Sequence, residues 1–214
     1  MNATATAAGA AFRALRRLAQ PRPPAEACDF CSVPLFPAHR HLVEVETRKI
    51  ICVCDACALR FEGTIARWKL VPRDARRLPE FQLADGQWEA LAIPINLAFL
   101  FHSTPARRVI AMYPSPGGAT ESLLPLSSWD ALVAANPSLA RLEPDVEALL
   151  IKRIGDPEYY RAPIDLCFEL VGLIRVHWKG LSGGTEVWKH IEQFFARLRS
   201  MSPASATRAE VAHA

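Results

Sequence analysis

The sequence predicts an α+β chain, in which a small cysteine-rich module precedes a modest β-sheet with helices packed against it. Three observations carry this. Two Cys-x-x-Cys pairs, Cys28/Cys31 and Cys54/Cys57, bracket twenty-two residues, 32–53. Two apolar, β-prone runs, 92–103 and 108–113, flank the turn residues Thr104-Pro105-Ala106-Arg107. Two later stretches repeat apolar residues at helical spacing.

The 214 residues are half hydrophobic, with five Trp and ten Phe, enough for a sizeable core. Residues 1–27 read as a flexible tail and linker. The Ala-rich start holds Arg13, Arg16 and Arg17, but Pro-rich chain follows in place of the apolar stretch a signal peptide needs. Residues 28–63 form the metal-binding module, 64–201 the α+β region, and 202–214 a disordered C-terminal tail. No apolar run reaches the roughly 18 residues of a membrane span, so a cytoplasmic protein is expected.

Within the second region, the runs 92–103 and 108–113 predict a hairpin, and Pro114 to Glu121 a loop. Ser127 or Ser128 is placed to cap a helix that Asn136-Pro137 stops. Val146 to Ile151 reads as a third strand. Pro163 suits a first helical position, and the helix after it is apolar nearly all round, which predicts burial. Gly180 ends that helix and Thr185 starts the last one. Its Val187, Trp188, Ile191, Phe194, Phe195 and Leu198 fall on one face.

The strongest chemistry lies in the first module. Two intervening residues let each Cys-x-x-Cys segment turn and aim both sulfurs inward, and two such pairs offer four thiolates to one tetrahedral ion. Between them, 41–46 and 50–53 alternate as strands around Thr47-Arg48-Lys49. After Cys57 a short helical run ends at Gly63. A knuckle, a hairpin, then a helix whose first turn delivers the last two ligands is the order of a treble-clef zinc finger. The helix start also favours negative charge on Cys54 and Cys57. Zinc is favoured over iron because nothing else in the chain points to electron transfer. Clustered cysteines without an export signal fit a reducing compartment better than a disulfide framework does.

Cys52 shares a strand face with Cys54, and His39 shares one with His41. These three are second-rank metal candidates. Either they form a second site or exchange ligands with the first, or Cys52 packs under the finger while the histidines hydrogen-bond across the hairpin.

Other constellations are weaker. Cys167, beside His177 or His190, sits in the most apolar helix, where a thiolate is costly; it reads as an inert core residue. The Gly180–Thr185 segment lacks the lysine and spacing of a phosphate loop and reads as a tight turn. The 25 basic and 22 acidic residues are interspersed, net charge +3, which argues against a dedicated nucleic-acid binder. No catalytic residue or organic cofactor is assigned.

The motifs Cys28-x-x-Cys31, His39-Arg40-His41 and Cys52-x-Cys54-x-x-Cys57, with the segments 113–126, 142–150 and 172–184, resemble an uncharacterised bacterial protein family. Its genes typically lie beside those of oxygen-tolerant nickel-iron hydrogenases of the actinobacterial type. The likeness spans about Cys28 to Leu198. It implies an accessory role, with a hydrogenase subunit or maturation factor as partner, and makes Cys52, His39 and His41 less accidental. Three functions follow as expectations. The first is a zinc-binding, non-enzymatic accessory protein. The second is a metal- or electron-handling protein using iron or nickel, and the third a nucleic-acid-binding regulator.

Overall fold

The computed structural model describes residues 26–62, 67–122, 126–180 and 183–202. The expected tails lie almost wholly outside these residues, as do Gly63 and the Leu181-Ser182 step of the glycine-rich turn.

The first module is a hairpin of β1 (Arg40–Glu44) and β2 (Lys49–Val53), followed by helix α1 (Asp55–Phe61). Arg48 takes a left-handed φ of 59° to close the hairpin turn. Strand β3 (Trp68–Leu70) pairs with the other edge of β1, giving a three-stranded sheet ordered β2-β1-β3.

The second region holds six strands: β4 (Arg76–Arg77), β5 (Leu97–Ser103), β6 (Arg108–Ser115), β7 (Gly118–Ser122), β8 (Glu147–Lys152) and β9 (Glu158–Pro163). All pair antiparallel, in the order β4-β9-β8-β5-β6-β7. Helices α2 (Asp85–Ala90), α3 (Leu126–Ala135), α4 (Ile164–His177) and α5 (Gly184–Met201) complete it, with a 3-10 turn at Pro137–Arg141.

The α+β class stands, and the apolar runs have a clear cause: the central strands are covered on both faces. In β5, Leu97, Phe99 and Phe101 join one core with Cys167, Leu170 and Ile174 of α4 and Phe195 of α5. Their neighbours Ala98 and Leu100 join a second core with Trp88 of α2 and Leu132 of α3. Each fully enclosed Leu or Phe contributes about 1.5–3 kcal/mol relative to exposure. Successive residues point to opposite faces, so a doubly covered strand must be apolar throughout.

Several expectations need correction. Residues 114–121 are no loop. Ser115 lies opposite Gly118 in register, so Pro116-Gly117 alone reverses the chain from β6 into β7. The Ser115 hydroxyl donates to the Gly118 carbonyl at 2.9 Å and accepts from the Gly117 N–H at 3.2 Å, which closes the turn. Ser127 and Ser128 lie inside α3, which already includes Leu126, so neither is its N-cap. Helix α4 is buried on one face only; Val176 is 74% exposed. In α5 the expected face is buried except for Trp188, 39% exposed. Between these helices Gly183 has a φ of 85°, and a Cβ there would lie 2.9 Å from Val187 Cγ1. That position accepts only glycine without rearrangement.

The two sheets share a core. Val43 of β1 and Val71 belong to the same cluster as α4 and α5. Lys69 of β3 donates to Asp145 Oδ2 at 2.7 Å, and Asp145, itself buried, also accepts from the Thr104 N–H and hydroxyl. Among the described residues, no helix is long and apolar enough to cross a membrane.

Candidate metal centre

Cys28 and Cys31 sit on a tight knuckle. The Ser32 N–H donates to the Cys28 carbonyl at 2.8 Å, and the Cys28 N–H to the Val33 carbonyl at 2.9 Å. The knuckle is stitched to β2 through one residue. Asp29 donates its N–H to the Cys52 carbonyl at 2.9 Å and accepts the Cys52 N–H on Oδ2 at 2.6 Å. Cys54 directly follows β2 as the N-cap of α1, and Cys57 lies in the first helical turn. Phe30 stacks on Phe61 of α1, ring centroids 4.1 Å apart, which fixes the knuckle against the helix.

These constraints bring the sulfurs of Cys28, Cys31, Cys54 and Cys57 within 4.8 Å of one another. Cys31 and Cys54 Sγ are 3.7 Å apart. A tetrahedral ion bound at about 2.3 Å from each sulfur separates the sulfurs by roughly 3.8 Å. The four-cysteine group can therefore hold a metal ion. All six cysteines are free thiols among the described residues.

The thiols titrate unequally without a cation. Burial pushes Cys28 up, but backbone N–H groups of Cys54, Cys31 and Phe30 outweigh it and hold the thiol at about 6. Burial, reinforced by hydrogen bonds with Cys54, Cys31 and Cys28, pushes Cys57 up to about 12. Four sulfurs this close cannot all carry negative charge unaided, and a divalent ion supplies the missing positive charge.

The second-rank residues also converge. His39, His41 and Cys52 place one ligand atom each within 4.8 Å of the others. The Cys52 thiol is pushed above its ordinary value by burial first, then by Glu26, Asp29 and Cys28. Sequence reasoning missed Asp165, whose Oδ2 lies 2.7 Å from His41 Nδ1 across 124 positions of chain. No local signal announces such a partner. Asp29, inside the first Cys-x-x-Cys, was visible but carried no spacing that reveals its bonds to Cys52.

Cys167 is fully enclosed, and burial, then Asp165, pushes its thiol well above the ordinary range. His177 and His190 instead stack on each other at 3.7 Å.

No curated protein and no solved structure matches the chain. One family model does, over residues 27–202, a span close to that of the resemblance drawn from the motifs. The chain belongs to that family, a family of unknown function designated DUF5947.

Proposed function

We propose that the protein is a zinc-stabilised, non-enzymatic accessory protein that serves a nickel-iron hydrogenase through protein–protein contacts. The observation that carries the metal part is the convergence of four cysteine sulfurs within 4.8 Å of one another, with one pair at 3.7 Å. Zinc fits this role best. It is redox-inert, takes four thiolates without leaving an open position, and contributes its binding energy to folding. The module reads as a treble clef, in which Cys28 and Cys31 come from the knuckle and Cys54 and Cys57 from the start of α1.

The hydrogenase part rests on the resemblance of the motifs, and the surface of the finger supports a contact role. Phe36 is 84% exposed and Val33 44%. Together with Leu35 they line a shallow cavity of about 210 Å³ beside Cys54. Apolar groups left in water beside one another mark interaction surfaces more often than chance placement does. The partner is a hydrogenase subunit or a maturation factor. Co-purification from a host carrying the hydrogenase genes tests this. Phe36→Ser should keep the metal content and lose most of the captured hydrogenase component. Capture unchanged by that substitution, or no hydrogenase component captured by the wild type, would overturn the docking role.

A further inference from the structure

A second group of donors stands outside the four-cysteine centre. In the β1–β2 hairpin His41 lies directly opposite Cys52, and directly opposed residues project to the same face. His39 precedes His41 by two positions and shares that face. Both imidazoles are held from behind. His39 Nδ1 lies 2.9 Å from the Phe36 carbonyl, and His41 Nδ1 lies 2.7 Å from the Asp165 carboxylate. A carbonyl and a carboxylate only accept, so both Nδ1 atoms carry a hydrogen and donate. In the neutral rings each Nε2 is then left with a lone pair, and the two Nε2 atoms face each other at 3.1 Å.

Two lone pairs at that separation repel unless a cation lies between them. A proton would join the two nitrogens and leave the Cys52 sulfur without a role. A metal ion bound at about 2.0–2.1 Å from both nitrogens subtends roughly 98° at a spacing of this size, within the range of four-coordinate sites, and can take the sulfur as a third donor. Histidine ligands are typically oriented in this way, with the far ring N–H given to a carboxylate or backbone carbonyl.

We propose that His39 Nε2, His41 Nε2 and Cys52 Sγ form a second metal site, for a late first-row divalent ion such as zinc, cobalt or nickel. Two imidazoles and one thiolate favour such ions over magnesium or calcium. Three protein donors leave the fourth position open. The two histidines also line a cavity of about 310 Å³, with Arg40, Arg73 and Asp165 on its wall, which offers room for an outside ligand. The four-cysteine centre is complete in itself, whereas this site can release its ion or accept an outside ligand. The inference stands apart from the identity of the ion held by the four cysteines.

The test is a titration of the full-length protein after dialysis against a chelator. Zn²⁺ is added in competition with a chromophoric chelator, and Co²⁺ is added in parallel with absorption recorded. The wild type should take up one exchangeable equivalent beyond the chelator-resistant one. With Co²⁺ that equivalent should show the bands of a four-coordinate site with one thiolate. Cys52→Ala and His41→Ala should abolish the exchangeable equivalent and keep the resistant one. Asp165→Asn leaves all three donors in place and should weaken the exchangeable site about 10–100-fold. No exchangeable equivalent in the folded wild type would overturn the proposal and leave a shared proton as the occupant. An exchangeable equivalent indifferent to Cys52→Ala, His41→Ala and Asp165→Asn would overturn it too. Loss of the resistant equivalent alone would count against the four-cysteine reading and leave this one standing.

Discussion

Asp29 ties the finger together at the scale of single residues, because its N–H and carboxylate both bond to Cys52 and so lock the knuckle onto β2. The four sulfurs depend on that lock, and under the proposed reading a metal bound there would contribute folding energy to the module. Structural zinc typically contributes on the order of 10–16 kcal/mol of binding. Cys54→Ser should therefore lose metal and solubility together, read by elemental analysis of the soluble fraction. A different residue governs the acid side. Glu158 is buried, which alone raises its carboxyl value, yet the Tyr160 hydroxyl, Lys152 and Arg199 outweigh burial and hold it below 4.5. Its folded value lies below its unfolded one, so its contribution is complete above about pH 4.5 and fades as pH falls through the folded value. Glu158→Gln leaves Lys152 buried with the half-exposed Glu192 as its remaining carboxylate partner among the described residues. It should cost about 3 kcal/mol at neutral pH, by denaturant unfolding, with the difference shrinking in acid. An unchanged difference at low pH would contradict the assignment.

At the scale of elements, the β6–β7 hairpin shows what a turn of two residues can conceal. Gly118 has a φ of 120°, and a Cβ there meets nothing within 4 Å. The cost of Gly118→Ala is then backbone strain alone, about 1–3 kcal/mol. Gly117→Ala should be nearly neutral, since its Cβ would meet only Ser115 Oγ at an ordinary 3.6 Å. Thermal unfolding of the two variants separates a hairpin from a loop that merely connects. Elements with an unbroken pattern were legible in the sequence: the β1–β2 and β5–β6 hairpins, β8, and the two long helices. Those missed break the pattern. Strand β9 carries Glu158 and Arg161, whose charges are satisfied by Lys152, Arg199 and Glu147 inside the fold. Helix α2 contains Gly86 and spans only Asp85–Ala90, too short for a periodic signal. In the candidate site the donors were readable because cysteine and histidine spacing follows strand and knuckle geometry. Asp165 was not, because only the docking of α4 beside β1 brings it there.

Across the whole molecule, the finger is not an appendage. Val43 and Val71 lie in the main core, and Lys69 reaches the buried Asp145 that also anchors Thr104. On the proposed reading, ordering of the finger by metal would therefore be felt by the six-stranded sheet, and the accessory role needs that ordered surface. The most direct test is metal content. Full-length protein, purified without added metal and dialysed against a chelator at neutral pH, is measured by elemental analysis against quantitative amino-acid analysis. The expected result is about one equivalent of zinc per chain, in a colourless preparation, since four thiolates close the ion's coordination shell. Folded protein retaining less than about half an equivalent of any metal would contradict the account.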